Sequence, residues 1–204
     1  MNRFFIVLIL FFSYGAYSQT AEDYFERAYE KDDNGDYYGA ISDLTKAIEL
    51  NPDYELAYYN RGFAKRQIDD NYGAISDFNK AIELKPDYAM AYNNRGLSKR
   101  QIDDDYGAIS DFNKAIELKP DYTIAYYNRG FTKGKLEDYY GAISDYTKVI
   151  ELNPDYAFAY YNRGVNKSNL GDSDGACSDW RKAVDMDNES AVQLAEKQIN
   201  NRCN

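Results

Sequence analysis

The chain has 204 residues, with 34 Asp and Glu against 24 Lys and Arg, no histidine, and a formal net charge of −10. That balance argues against binding nucleic acid or anionic membranes through a positive surface, and the lack of histidine removes histidine general-base chemistry and most zinc sites. An apolar content of 44%, with 22 Tyr and 10 Phe, is too high for an acidic disordered tail and allows one domain of ordinary size.

The chain opens with Asn2 and Arg3, then an apolar run from Phe4 to Phe12, then Ser13-Tyr14-Gly15-Ala16-Tyr17-Ser18. A basic start, a nine-residue apolar centre and small residues at Ala16 and Ser18 predict a secretory signal peptide over 1–18, cleaved before Gln19. A membrane anchor is the competing reading, but a span needs roughly 20 apolar residues. The expected mature chain, 19–204, is exported to a periplasm, the cell surface or the medium, with no membrane insertion after cleavage. Loss of Arg3 leaves 23 basic residues against 34 acidic, a net −11.

After the leader comes one unit repeated five times. Gly-Ala-Ile-Ser-Asp begins at Gly39, Gly73, Gly107 and Gly141 and returns as Gly-Ala-Cys-Ser-Asp at Gly175; Asn-Arg-Gly begins at Asn60, Asn94, Asn128 and Asn162. Every step is 34 residues, as is that of Pro52, Pro86, Pro120 and Pro154. Units therefore run 21–54, 55–88, 89–122, 123–156 and 157–190. Within 55–88, Leu56, Tyr59 and Phe63 space an apolar stripe for one helix, and Asp69-Asp70-Asn71 ends it. Ile75, Phe78 and Ile82 mark a second helix, which stops before Pro86. Asp87 is placed to cap the helix that follows. Thr20 with Asp23 resembles a capping box at the start of the first helix, with Asp for the usual Glu or Gln. Residues 191–201 read as a short polar capping helix, which a solenoid needs for solubility.

These residues resemble the tetratricopeptide repeats. The family's marks are a large residue at the fourth position, Gly at the eighth, Ala at the twentieth, an aromatic at the twenty-fourth, Ala at the twenty-seventh and Pro at the thirty-second. Here they are Tyr58, Gly62, Ala74, Phe78, Ala81 and Pro86. Departures sit at the ends, where Ala28 replaces Gly, Val149 replaces Ala and Asn188 replaces Pro. The resemblance implies an all-α fold, a right-handed superhelical solenoid of five helix-turn-helix repeats plus the C-terminal capping helix. The seventh and eleventh positions depart in every unit, from Arg27/Lys31 through Arg61/Lys65, Arg95/Lys99 and Arg129/Lys133 to Arg163/Lys167, and each second helix carries an acid, Asp43, Asp77, Asp111, Asp145 or Asp179. An Arg–Asp ladder is expected, with Asp77 level with Arg61 of its own unit and Arg95 of the next.

The search for chemistry finds no Gly-rich phosphate loop and no nucleophile with an activating base. Asp32, Asn34 and Asp36 alternate as in a calcium loop, but Tyr37 stands where the loop needs glycine, so the segment reads as a helix–helix turn. No enzyme activity, cofactor or metal is called for. The resemblance implies instead a concave groove lined by the first helix of each unit. Its candidate partner-binding residues are Tyr59, Asn60, Phe63, Arg66, Asn93, Asn94, Arg100, Tyr127, Asn128, Phe131, Tyr161 and Asn162. Aromatic side chains supply contact area, and a column of Asn amides can hold an extended peptide backbone; the competing reading is that these aromatics pack between neighbouring first helices. Units 55–88 and 89–122 differ at six positions, of which Leu56/Met90, Tyr59/Asn93 and Phe63/Leu97 are groove positions. The family's two-carboxylate clamp for chaperone tails needs Lys at a fifth position, and the fifth positions here are Phe25, Tyr59, Asn93, Tyr127 and Tyr161. The expected function is a protein–protein interaction scaffold for a peptide segment or partner protein; a cell-envelope glycan or peptidoglycan binder is the alternative.

Cys177 and Cys203 are the only cysteines. Export, and a capping helix running back antiparallel to bring Cys203 level with Cys177, favour a disulfide between them. The ending Gly-Ala-Cys-Ser-Asp-Trp with a near-terminal Cys also resembles the closing unit of exported bacterial repeat proteins. A reduced, buried Cys177 with a loose Cys203 is the other reading.

Overall fold

A helix of 14 residues is about 21 Å long and marginal in water by itself, so the fold follows from how such helices cover one another. The computed structural model describes residues 19–203, which form eleven helices and no strand. They pair as α1 (Ala21–Asp33) with α2 (Tyr37–Leu50), α3 (Glu55–Gln67) with α4 (Asn71–Leu84), and α5 (Ala89–Gln101) with α6 (Asp105–Leu118). Then come α7 (Thr123–Lys135) with α8 (Tyr139–Leu152), α9 (Ala157–Asn169) with α10 (Ser173–Val184), and a closing helix α11 (Glu189–Arg202). Each helix packs on the next, and the first helices α3, α5, α7 and α9 also touch in series, forming one layer of an all-α solenoid. The expected signal peptide, 1–18, lies outside the described residues.

Local signals set the helix ends. The Thr20 side chain accepts from Asp23 N while Asp23 accepts from Thr20 N, a complete capping box. Asp36, Asp70, Asp104, Asp138 and Asp172 cap the second helices by accepting from the backbone of Gly39, Gly73, Gly107, Gly141 and Gly175. A Cβ on those glycines would lie 2.0–2.1 Å from the capping carboxylate, so the recurring Gly makes room for the cap. The expected cap at Asp87 does not form: α5 begins after Tyr88, which makes no side-chain cap bond. In the fifth unit the residue replacing Pro, Asn188, caps α11 by accepting from Ala191 N at 3.0 Å.

Within a pair, the glycine of the first helix admits the aromatic ring of the second. A Cβ on Gly96 would stand 2.8 Å from Phe112, and one on Gly164 would stand 2.6 Å from the Trp180 indole. The first unit changes both partners together: Ala28 replaces the glycine and Leu44 replaces the ring, and both are buried.

The ladder is present, with one change from expectation. Asp77, Asp111, Asp145 and Asp179 are each held by two nitrogens of the arginine in their own unit, Nη2 at 2.5–2.7 Å and Nε at 2.9–3.0 Å. Lys65, Lys99, Lys133 and Lys167 add a second cation at 2.8–2.9 Å. The next unit's arginine does not reach the aspartate. It reaches the residue two further on, with Arg61 donating to Thr45, Arg95 to Asn79, Arg129 to Asn113 and Arg163 to Thr147 at 2.7–3.1 Å. The guanidinium also lies over its own helix's tyrosine, 5.2–5.5 Å from the ring centres of Tyr58, Tyr92, Tyr126 and Tyr160. Arg27 pairs with Asp43 in the same way but has no unit before it, and its side chain is 40% exposed against 16% for Arg95.

At the other end Trp180 is fully buried and donates to the Tyr161 carbonyl at 3.2 Å. Cys177 on α10 and Cys203 after α11 are joined by a disulfide, their α-carbons 5.8 Å apart. The bridge fixes α11 over Ala176, Trp180 and Ala183.

Removing Asp111 strands Arg95 and Lys99 in a half-buried place, so Asp111→Ala is expected to cost about 3 kcal/mol. Asp43→Ala should cost clearly less, because Arg27 can turn to water; urea denaturation of the two variants checks the order. Thiol titration of the denatured, unreduced mature protein should find no free thiol. Cys203→Ser should lower stability by about 3 kcal/mol.

Candidate functional site

The candidate groove residues all lie on α3, α5, α7 and α9, in the layer of first helices. Their side chains have separate fates. Asn93, Asn94 and Asn128 are buried, at 3%, 8% and 5% exposure, so they do not line an open surface with their whole amides as the column of Asn suggested. Asn94 Nδ2 donates to the Tyr59 hydroxyl at 2.9 Å, Asn128 Nδ2 to Asn93 Oδ1 at 3.0 Å, and Asn162 Nδ2 to the Tyr127 hydroxyl at 3.0 Å. The sixth position of each of these units is thus tied to the fifth position of the unit before it. Asn94 Nδ2 also donates to the Met90 carbonyl at 3.0 Å, so both of its N–H groups are used, while Asn128 and Asn162 each spend one on the seam. No hydrogen bond of the described residues ends on the Oδ1 atoms of Asn94, Asn128 and Asn162.

Tyr59 and Tyr127 are half-buried in the same seam. The Tyr59 ring packs 4.8 Å from Tyr88 and 5.8 Å from Phe78, and Tyr127 packs 5.2 Å from Tyr156 and 5.7 Å from Tyr146. Loss of water around it pushes the Tyr59 phenol up to about 12, and burial likewise raises Tyr127 and Tyr146. Tyr161 packs against the last core cluster. The packing reading therefore holds for the tyrosines and for three of the asparagines. The open surface belongs to Phe131, 45% exposed, with Leu56 and Met90 at 38% and 42%. Asn60, Phe63, Arg66 and Arg100 are half-buried beside them.

Two hollows open on this layer. One, of about 190 Å³, is lined by Phe25, Ala28, Tyr29, Asp32, Leu44, Tyr59, Asn60 and Phe63; Leu44 stands there where the other units have a ring. The second, of about 460 Å³, is lined by Arg100, Gln101, Asp103, Phe131, Gly134, Lys135, Tyr146, Asn162, Val165, Asn166 and Asn169. The turn Asp32–Asp36 serves the fold: Asn34 ends α1 and Gly35 takes the left-handed conformation at φ 76°.

Two features escape a reading of the sequence. The offset of 35 residues joining fifth to sixth positions is hidden behind the period of 34; pairing the Tyr/Asn alternation at the fifth position with the constant Asn at the sixth would expose it. The second helices also carry a row of open tyrosines, Tyr38, Tyr72, Tyr106 and Tyr140, at 74–78% exposure.

Known proteins can now be set beside this geometry. The tetratricopeptide repeat family matches at residues 56–88, 89–122, 123–156 and 159–190, and a TPR repeat profile matches at 33–69. The chain belongs to the tetratricopeptide repeat family. A solved structure of MamA protein superposes with a TM-score of 0.75 at 25% identity, over 89% of this chain and 94% of that one. YrrB, described as a TPR protein with an unusual peptide-binding site, gives 0.72 at 23% over 87% and 92%. PilW, described as a type IV pilus biogenesis factor, gives 0.75 at 23% over 90% and 86%. Comparison with curated proteins gives no match. Both hollows open mainly on the layer of first helices. Among the described residues no helix is long and apolar enough to cross a membrane.

The buried phenols carry a pH signature. A phenol whose folded pKa exceeds its unfolded value of about 10 keeps its proton longer in the folded state. Its contribution to stability is full below pH 10 and is lost as pH rises through about 12 for Tyr59. Denaturation midpoints should fall between pH 9.5 and 11.5, and Tyr59→Phe should flatten that fall; those values are approximate settings for the titration.

Proposed function

We propose that this tetratricopeptide protein is an exported, non-enzymatic scaffold whose concave face binds an extended peptide segment of a partner protein. The observation that carries the reading is the set of open apolar side chains Leu56, Met90 and Phe131, beside amide oxygens of Asn94, Asn128 and Asn162 on which no hydrogen bond of the described residues ends. An extended chain presents backbone N–H groups at regular spacing, and one acceptor per repeat suits them. Asn60, Phe63, Arg66 and Arg100 belong to the same layer, while Tyr59, Asn93 and Tyr127 accept from the three amides and hold them in place, and Tyr161 packs in the last core cluster. That a solved structure of this fold belongs to a protein described as having a peptide-binding site supports the capacity of the architecture. The glycan alternative needs open ring faces in the groove, and Tyr59 and Tyr127 have theirs packed against neighbouring rings.

Extended peptides selected by display against the mature chain, titrated by fluorescence anisotropy, test the reading. Met90→Ala and Phe131→Ala should each weaken binding by about tenfold, as loss of an anchor does, without lowering the melting temperature. Tyr127→Ala should instead destabilise the fold by about 3 kcal/mol. Peptide binding unchanged in both surface variants, or a response to oligosaccharides alone, would remove the concave peptide groove.

A further inference from the structure

The chain is acidic, and nearly every cation along the first helices of its middle units has a carboxylate. Lys65, Lys99, Lys133 and the ladder arginines serve the ladder, and Lys135 is held by Asp103 and Asp105 at 2.9 Å each. Arg66 and Arg100 are the exceptions. Among the described residues neither guanidinium has an ion pair or a hydrogen bond, and Arg66 Nε is buried with no acceptor. Each lies on an aromatic ring instead, Arg66 at 5.2 Å from the centre of Phe63 and Arg100 at 4.9 Å from that of Phe131. Both are half-buried, and loss of water lowers both their pKa values. Asp105 lies near enough to Arg100 to favour its charge without bonding it: its Oδ2 is held by Lys135 and its buried Oδ1 has no hydrogen bond.

The surroundings look built for a guest. Arg66 and Arg100 occupy the twelfth position of their units, where the neighbours have Asp32, Gly134 and Ser168. Gly134 leaves room for Asn166, whose Oδ1 would stand 2.9 Å from a Cβ there, and the hollow of about 460 Å³ opens beside Arg100, with Asp103, Phe131, Lys135 and Asn166 among its walls. A ring under a guanidinium covers one face and leaves its in-plane N–H groups uncovered; at Arg66, whose Nε is buried, the two terminal nitrogens are the pair that can take a carboxylate with two bonds. Successive first helices are about 10 Å apart, and an extended peptide rises about 3.3 Å per residue. Two acids a few residues apart can therefore meet both arginines.

We infer that Arg66 and Arg100 form a carboxylate-binding pair on the concave face, so that the partner segment is an acidic peptide whose one carboxylate enters the hollow beside Gly134. This rests on the concave peptide reading above and adds the chemistry of the guest. The positions differ from those of the family's chaperone-tail clamp, whose lysines are absent here. The net charge of −10 repels acidic peptides, so a preference for them has to come from a local contact.

The test uses two fluorescein-labelled octapeptides, alternating Glu-Leu and alternating Gln-Leu, titrated against the mature protein at about 0.15 M salt. The Glu peptide should bind at least about tenfold more tightly than the Gln peptide, a difference of about 1.4 kcal/mol. Arg66→Gln and Arg100→Gln should each remove most of that preference, Arg100→Lys should restore only part of it, and Arg181→Gln on the exposed side of α10 should leave it intact. Melting temperatures of the Arg66 and Arg100 variants should hardly fall, since neither arginine has an ion pair or hydrogen bond to lose and only its contact with a ring is removed. If both peptides bind equally, the carboxylate pair fails and the peptide groove stands. If neither binds, the carboxylate pair fails, and the display-selected peptides decide the groove separately. Displacement of the Glu peptide by inorganic phosphate at equal or lower concentration would also overturn the assignment, by making the guest a phosphate.

Discussion

Everything in this solenoid depends on a carboxylate buried between two short helices. Asp77, Asp111, Asp145 and Asp179 have side chains 3–5% exposed, and each is met by two nitrogens of an arginine and one of a lysine from the paired helix. Taking such charges out of water costs about what their attraction returns, so the pairs add little net stability. Their effect is on register. A carboxylate that binds Arg95 at Nε and Nη2 fixes both the height and the rotation of α5 against α6. The remaining Nη1 crosses to Asn79 of the preceding unit and fixes the stacking between pairs. Stability itself comes from the close contact of Gly96 with Phe112 and of its counterparts, buried as apolar surface that no isolated helix pair could cover.

The period of 34 was legible because it is imposed by packing. Where a glycine must admit a ring, or an alanine must let two backbones approach, few residues will do, and their recurrence shows in any one sequence. The Thr20–Asp23 box was legible for the same reason, since both of its bonds are local. Less legible were the choices among equivalent partners. The sequence offers Asp77 two arginines, Arg61 and Arg95, and only the tilt of the helices decides that Arg61 takes both oxygens. It likewise offers Asp87 as a cap, but the chain enters α5 with Tyr88 at the boundary, and Asp87 stays outside.

The candidate site shows the same limit more sharply. A period says which residues share a face, and it placed Asn60, Asn94, Asn128 and Asn162 on one. It does not say which atoms of that face are already bonded. Substituting Asn93 for Tyr at the fifth position keeps the seam closed, because an amide oxygen there accepts from Asn128 as the Tyr59 hydroxyl accepts from Asn94. One of the three variable lining positions is therefore a variable contact between repeats. The remaining variation, Leu56 against Met90 and Phe63 against Leu97, sits where side chains are open or half-open, which is where a change can alter binding without altering the stack.

The two kinds of arginine make the division of labour between the faces explicit. At the seventh position the side chain turns toward the second helix, and the fold supplies a carboxylate, a hydroxyl or amide, and a tyrosine ring. At the twelfth position Arg66 and Arg100 lie over Phe63 and Phe131, where the fold supplies a ring and no hydrogen-bonded anion among the described residues. A half-buried guanidinium without a partner is less stable than an apolar side chain of similar size. The same chain shows at five other places how an arginine can be satisfied, so nothing in the architecture forbids an aspartate here. The two arginines sit in adjacent, nearly identical repeats whose helix pairs are both fixed by the ladder. Bonding capacity left unmet on helices fixed in that way is how a surface can be pre-organised for a ligand.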